Sequence, residues 1–146
     1  MQVDFYHLTA TPLDRALPRV AEKILAAGAR LLIVSASEDQ RVAIDRLLWR
    51  YSPDSFLPHG CAGTGNEALQ PVLIAGAVEP QNDARMIALV DGEWRDEALA
   101  FDRAFHFFDD DAIAPARAAW KALAERDGVE RRYWKQTDRG SWEQAG

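Results

Sequence analysis

The sequence predicts an α/β domain on a mostly parallel sheet, and three observations point there. Two nearly unbroken apolar runs, Leu31-Leu32-Ile33-Val34 and Val72-Leu73-Ile74-Ala75, read as strands buried on both faces. Segments with apolar residues at helical spacing lie between such runs, beginning near Leu13 and again after Ser37. Glycine and proline punctuate this alternation, with no internal repeat and no low-complexity tract. Strand, helix, strand, helix implies parallel pairing through crossover helices. The expected architecture is one Rossmann-like domain flanked by helices, spanning residues 1–146, with a polar tail from about 136.

Each element has its own local reason. Val3-Asp4-Phe5-Tyr6-His7-Leu8 is rich in strand formers and gives the first strand. Leu13, Leu17, Val20, Ala21, Ile24 and Leu25 share a helical face, with Gly28 just beyond it. Thr11 suits the N-cap and Pro12 the first helical position, while Pro18 demands a kink or a later start. The run 30–35 is the second strand. Ser37 followed by Gln40 resembles a capping box, opening a helix to about residue 51. Ser52-Pro53-Asp54 ends it, and residues 55–59 read as an edge strand or extended loop. After a glycine-bearing loop at 60–70 come strands at 71–75, 85–90 and 105–108, with a short helix within 94–104. A last helix is expected over about 111–126, with Pro115 in or near its first turn. Beyond Gly128 the chain alternates at Val129, Arg131, Tyr133 and Lys135.

Composition narrows the function classes. A chain of 146 residues buries roughly two-thirds of its unfolded surface, so it needs neither metal nor disulfide to fold. The single cysteine, Cys61, forms no internal disulfide and no zinc cluster. No apolar run approaches a membrane span, and the opening residues lack the pattern of a signal peptide, so a cytoplasmic protein is expected. The net charge of −6 argues against broad, non-specific grip on nucleic acid. The charge is uneven: residues 117–139 carry seven basic and four acidic side chains, against ten basic and eighteen acidic over 1–116. That basic segment is either a solvated surface or a site for an acidic partner.

Motifs for catalysis are weak. Gly60-Cys61-Ala62-Gly63-Thr64-Gly65 invites a phosphate reading, but Pro58-His59 precedes it and no helix opens directly after it. Where a dinucleotide fold places its glycines, after the first strand, this chain has Thr9-Ala10-Thr11-Pro12. His7, His59 and His106 lie in separate elements without metal-pair spacing. Cys61 lacks a visible base, and Asp109-Asp110-Asp111 suits a helix N-terminus. No catalytic residue, metal or cofactor is expected. Two rival classes are a small nucleotide-binding α/β enzyme and a direct nucleic-acid binder using residues 126–139.

Two aromatic placements are more informative. On the helix after Ser37, Ile44, Leu47, Leu48 and Tyr51 form the core stripe, and Val42 and Trp49 fall on the opposite side. Trp49 is therefore either covered by the following segment or exposed beside Phe56, where it would anchor a partner. On the last helix Ile113, Ala116, Trp120 and Leu123 make the apolar stripe, with Arg117 and Lys121 on its flank. Either Trp120 is core and the cations are solvated, or the three hold an acidic peptide ending in a hydrophobic residue.

These residues resemble a known family over nearly the whole chain. The carriers are the Phe5-Tyr6 strand, Leu48-Trp49 followed by Ser55-Phe56-Leu57-Pro58-His59, Ala62-Gly63, Val72-Leu73-Ile74-Ala75, residues 105–109, and Ala116-Arg117-Ala118-Ala119-Trp120-Lys121. The pattern resembles the chi subunit of bacterial DNA polymerase III, an accessory subunit of the clamp loader. The resemblance implies a non-catalytic bridge in DNA replication with no cofactor and no membrane contact. It would join the psi subunit to the acidic, Phe-ending C-terminal tail of single-stranded DNA-binding protein, meeting DNA only indirectly in the nucleoid-associated replisome. By motif match Arg117, Trp120 and Lys121 correspond to the tail-binding positions, with Trp where the better-known pattern has Tyr. Trp49 and Phe56 correspond to the psi contact, a patch also implicated in binding an accessory DNA helicase in competition with psi. Two departures stand out: Ile113 occupies a position where the pattern has lysine, and 131–135 is unusually basic.

Overall fold

The computed structural model describes residues 1–51 and 57–146. Its elements run β1 (Gln2–His7), α1 (Leu13–Ala26), β2 (Leu31–Val34), α2 (Glu38–Arg50), β3 (His59–Cys61), β4 (Val72–Ala75), β5 (Met86–Leu89), β6 (Arg103–Phe108), α3 (Ile113–Ala124), β7 (Glu130–Gln136) and β8 (Trp142–Gln144). The eight strands form one sheet in the order β3-β4-β2-β5-β6-β1-β7-β8. All pairs are parallel except β7 with β8. The α/β class and the mostly parallel, Rossmann-like sheet are as the apolar runs predict.

Alternation along the strands sorts the core into two layers. Phe5, Leu32, Leu73 and Phe108 pack with Ala116, Ala119 and Leu123 of α3 on one face. Leu31, Ile33, Ile74, Phe105 and Phe107 pack with Leu17 and Ala21 of α1 and Ile44 and Leu48 of α2 on the other. Ser37 caps α2, its hydroxyl accepting from the Gln40 amide. Gln40 does not complete a capping box. Its side-chain amide donates instead to the Val90 carbonyl at 2.9 Å, tying α2 to the end of β5.

Several details differ from the sequence reading. Pro12, not Thr11, is the N-cap of α1, and the helix continues through Pro18. Thr11 stays outside the helix, its amide donating to Gln136 Oε1. The segment after Trp94 forms a single 3-10 turn, Asp96–Ala100, because Arg95 is held back to Asp91 and β6 already starts at Arg103. The edge strand falls at His59–Cys61, partly inside the expected loop, while residues 52–56 lie outside the described part. Residues beyond 136 fold back as β8. Thr137 and Ser141 close the hairpin, Gly140 takes the left-handed conformation at its turn, and Trp142 packs edge-on against Tyr6 at 5.0 Å. Too short for a pattern of its own, β8 is held by that aromatic contact and the ladder to β7.

Candidate functional site

Helix α3 starts with Pro115 in its first turn, where a missing N–H costs nothing. Ala116, Ala119 and Leu123 face the core, which turns Arg117 and Lys121 outward and leaves Trp120 half-buried at the helix edge. The Trp120 ring meets Phe5 edge-on at 5.3 Å and Tyr133 of β7 edge-on at 5.6 Å. The Arg131 guanidinium lies 4.1 Å from its centroid and donates to the Trp120 carbonyl at 2.6 Å.

Beside this cluster is a hollow of about 240 Å3, lined by Arg117, Trp120, Tyr133, Lys135, Ala145 and Gly146. Arg117 is exposed and its guanidinium makes no hydrogen bond or ion pair with another described residue. Burial pushes the Tyr133 hydroxyl above its ordinary pKa, with the Arg117 charge opposing that shift. An aromatic floor and an uncommitted guanidinium suit an apolar side chain next to a carboxylate. Of the predicted trio, the structure brings Arg117 and Trp120 together. Lys121 is exposed on the same helix but does not line the hollow. Ile113 is half-buried against the core.

Sequence reasoning missed the contribution of β7. Tyr133 and Lys135 line the hollow and Arg131 braces its tryptophan. Their signal was the alternation 131, 133, 135, which puts the three on one face of a strand.

Trp49 stands 59% exposed on α2, as does the 44% exposed Val42 one heptad earlier. Its ring sits 4.9 Å from that of His59, which is buried. The two His59 nitrogens face the Leu57 carbonyl at 2.7 Å and Asp45, whose carboxylate lies at 3.0 Å. Trp49 thus rests on a ring fixed from β3. Its predicted companion Phe56 lies outside the described residues.

The two places that suggested phosphate have their donors engaged. Amides of Gly63 and Gly65 both donate to the Glu67 carboxylate; Glu67's own backbone N–H first, then these two, hold that acid below its ordinary pKa. After β1, the amides of Thr9, Ala10 and Thr11 converge on Gln136 Oε1 at 3.0, 2.9 and 2.8 Å. Successive N–H groups of this kind form an anion-binding concavity, and here a side-chain carbonyl occupies it. Burial first, then the Asp45 carboxylate, raise the Cys61 thiol, away from the reactive thiolate. Asp109 accepts from the Asp111 amide and Asp110 pairs with His7 at 2.7 Å. Among the described residues no group of three or more acidic, His or Cys side chains is placed to hold a metal, and no helix is long and apolar enough to cross a membrane.

The fold and this hollow define an α/β protein with a small cation-and-aromatic surface site between a helix and a strand added beside β1. Residues 1–130 match the family model of the DNA polymerase III chi subunit, HolC, and the chain belongs to that family. Curated relatives agree. A protein of Escherichia coli named DNA polymerase III subunit chi is 29% identical over 113 residues, covering 75% of this chain and 77% of that one. The Pseudomonas aeruginosa subunit chi is 33% identical over 87 residues, covering 58% and 59%. A Rickettsia prowazekii protein named "Probable DNA polymerase III subunit chi" is 26% identical over 89 residues, covering 61% of this chain and 54% of its own length. The matches to the Rickettsia and Pseudomonas proteins thus span little more than half of those relatives.

Proposed function

We propose that this protein is a non-catalytic accessory subunit of the DNA polymerase III holoenzyme that tethers the clamp loader to coated single-stranded DNA. One surface would take the acidic, Phe-ending tail of single-stranded DNA-binding protein, and another the psi subunit. The observation that carries the reading is the hollow beside Trp120, where an exposed Arg117 stands at an aromatic floor. The terminal carboxylate of the tail pairs with Arg117 and its Phe ring packs by Trp120. Lys121, outside the hollow, meets acidic residues further along the tail. Trp49 with Phe56 is the psi surface, shared with an accessory helicase; the exposure of Trp49 supports this part. Binding both partners raises the local concentration of the polymerase on the coated strand without any reaction at this subunit.

The rival reading of direct nucleic-acid binding by residues 126–139 loses support from the engagement of three of the five cations there. Arg126 bonds Asp96, Arg132 bonds Glu130 and Arg131 is committed to Trp120.

The test is titration of the full chain with a fluorescent tail peptide, comparing wild type, Arg117→Ala and Arg139→Ala at two salt concentrations. Wild-type binding that weakens with salt and is lost in Arg117→Ala, but kept in Arg139→Ala, supports the reading. Equal loss in both variants, or no binding by wild type, overturns it.

A further inference from the structure

The family match ends at residue 130, yet one wall of the hollow is built from residues 133–146. Strand β7 turns Arg131, Tyr133 and Lys135 toward α3. Arg131 is spent on Trp120, but Lys135 is exposed, lines the same hollow as Arg117, and makes no ion pair with a described residue. Its ammonium lies 6.0 Å from the Tyr133 ring centroid. The hollow is therefore lined by two basic side chains and two aromatic rings. At about 240 Å3 it falls below the roughly 300–1,000 Å3 of pockets that enclose a whole small ligand. It holds one side chain, and the rest of a peptide must run along the surface where the flanking charges stand.

Strand β8 adds a further charge. Glu143 is the register partner of Lys135 across the β7–β8 ladder. Directly opposed residues share a face with Cβ atoms roughly 4.5–5.5 Å apart. The two side chains are nevertheless not joined as an ion pair, and both are exposed. Glu143 is thus close enough to weaken the field of Lys135 without neutralising it.

We propose that the docking site is a cleft shared by α3 and β7, in which Lys135 receives a second acidic group of the partner peptide and Glu143 moderates that contact. The inference rests on the reading of the hollow as a peptide site and deepens it. The occupant is an acidic peptide with one aromatic anchor, selected by charge complementarity to Arg117 and Lys135. With Ile113 half-buried on α3, the second cation at the hollow comes from the strand and not from the helix.

The experiment titrates the full chain with the same fluorescent peptide at low and moderate salt. The variants are Lys135→Ala, Glu143→Gln, their combination, Arg117→Ala, and Arg139→Ala as a control cation at the hairpin turn. Lys135→Ala should weaken binding about two- to fivefold, the size of a solvent-exposed ion pair, and flatten its salt dependence. Glu143→Gln should tighten binding, and this gain should vanish in the Lys135→Ala background, the mark of direct coupling. Thermal midpoints should match wild type in every case, since both side chains are exposed. If Arg117→Ala abolishes binding while Lys135→Ala and Glu143→Gln behave like Arg139→Ala, the shared cleft is wrong and the α3 site stands. Failure of wild type to bind the peptide overturns both.

Discussion

Arg131 joins β7 to α3 through Trp120: its guanidinium lies 4.1 Å from the indole centroid and donates to the same residue's carbonyl at 2.6 Å. The carbonyl lies toward the C-terminal end of α3, the negative end of the helix dipole, where a cation is favoured. Arg131→Ala removes both the stacking and the hydrogen bond, and should cost about 1–2 kcal/mol. Arg131→Lys should recover only part, because an ammonium lacks the planar fork that meets ring and carbonyl together. Urea unfolding read by tryptophan fluorescence checks this. A lowered midpoint with unchanged slope is expected for both variants, larger for alanine.

Gln136 closes the other end of β7. Its Oε1 takes three backbone donors from the β1–α1 loop, while its Nε2 reaches the Gly140 carbonyl at 3.3 Å. Gln136→Ala would leave three amides without an acceptor at a partly solvated site, an expected loss of about 1–2 kcal/mol. Gln136→Glu should hold better than alanine, since a carboxylate accepts those N–H groups more strongly. Hydrogen exchange resolves the effect locally. The amides of Thr9, Ala10 and Thr11 should exchange faster in the alanine variant, with β2 and β4 unchanged. Equal exchange across the loop in wild type and Gln136→Ala would refute the lock.

Much of the fold was legible because it is written in short-range pattern. The apolar runs 31–34 and 72–75 are strands buried on both faces, and Ser37 caps α2 as its spacing with Gln40 indicates. The helical wheel placed Trp49 opposite Ile44 and Leu48, and the structure exposes it. What failed depends on distant partners. No local rule shows that the Thr11 amide will be tied to Gln136, 125 residues away. Nor does any show that three residues around Trp142 will pair as β8, because that strand is held by β7 and Tyr6 and not by its own propensity. The hollow beside Trp120 was half legible for the same reason. Arg117 and Trp120 share one helix face, whereas Tyr133 and Lys135 reach them only once β7 has paired with β1.

Trp49 and Leu48 are neighbours with opposite duties, and their substitutions should separate. Leu48 is 1% exposed in the layer beneath α2, so Leu48→Ala should cost about 2–5 kcal/mol of stability. Trp49 is 59% exposed, and Trp49→Ala should change stability far less while removing an aromatic anchor from the proposed psi surface. The pair of measurements is thermal unfolding and co-purification with psi. Trp49→Ala should keep its unfolding midpoint near wild type and lose psi. A large fall in the midpoint would assign Trp49 to the core instead.

His106 carries the clearest pH dependence. It is fully buried on β6, ringed by Phe5, Trp94 and Phe108, and neither ring nitrogen has a hydrogen-bond partner among the described residues. Burial lowers its pKa to about 4; the Asp91 carboxylate raises it and Arg95 lowers it, both by less. The folded pKa lies below the unfolded value near 6.5, so between these values the unfolded chain binds a proton that the folded one refuses. Stability from this residue is therefore full above about pH 6.5 and lost as pH falls toward 4, by roughly 3 kcal/mol in all. His106→Phe keeps an aromatic ring in the cage and removes the titration. Denaturant unfolding at several pH values between 4 and 7 should give a wild-type curve that falls more steeply toward acid than the variant's, the two differing only below about pH 6.5. Parallel curves across that window would mean the imidazole is protonated inside the fold, against the aromatic cage that surrounds it.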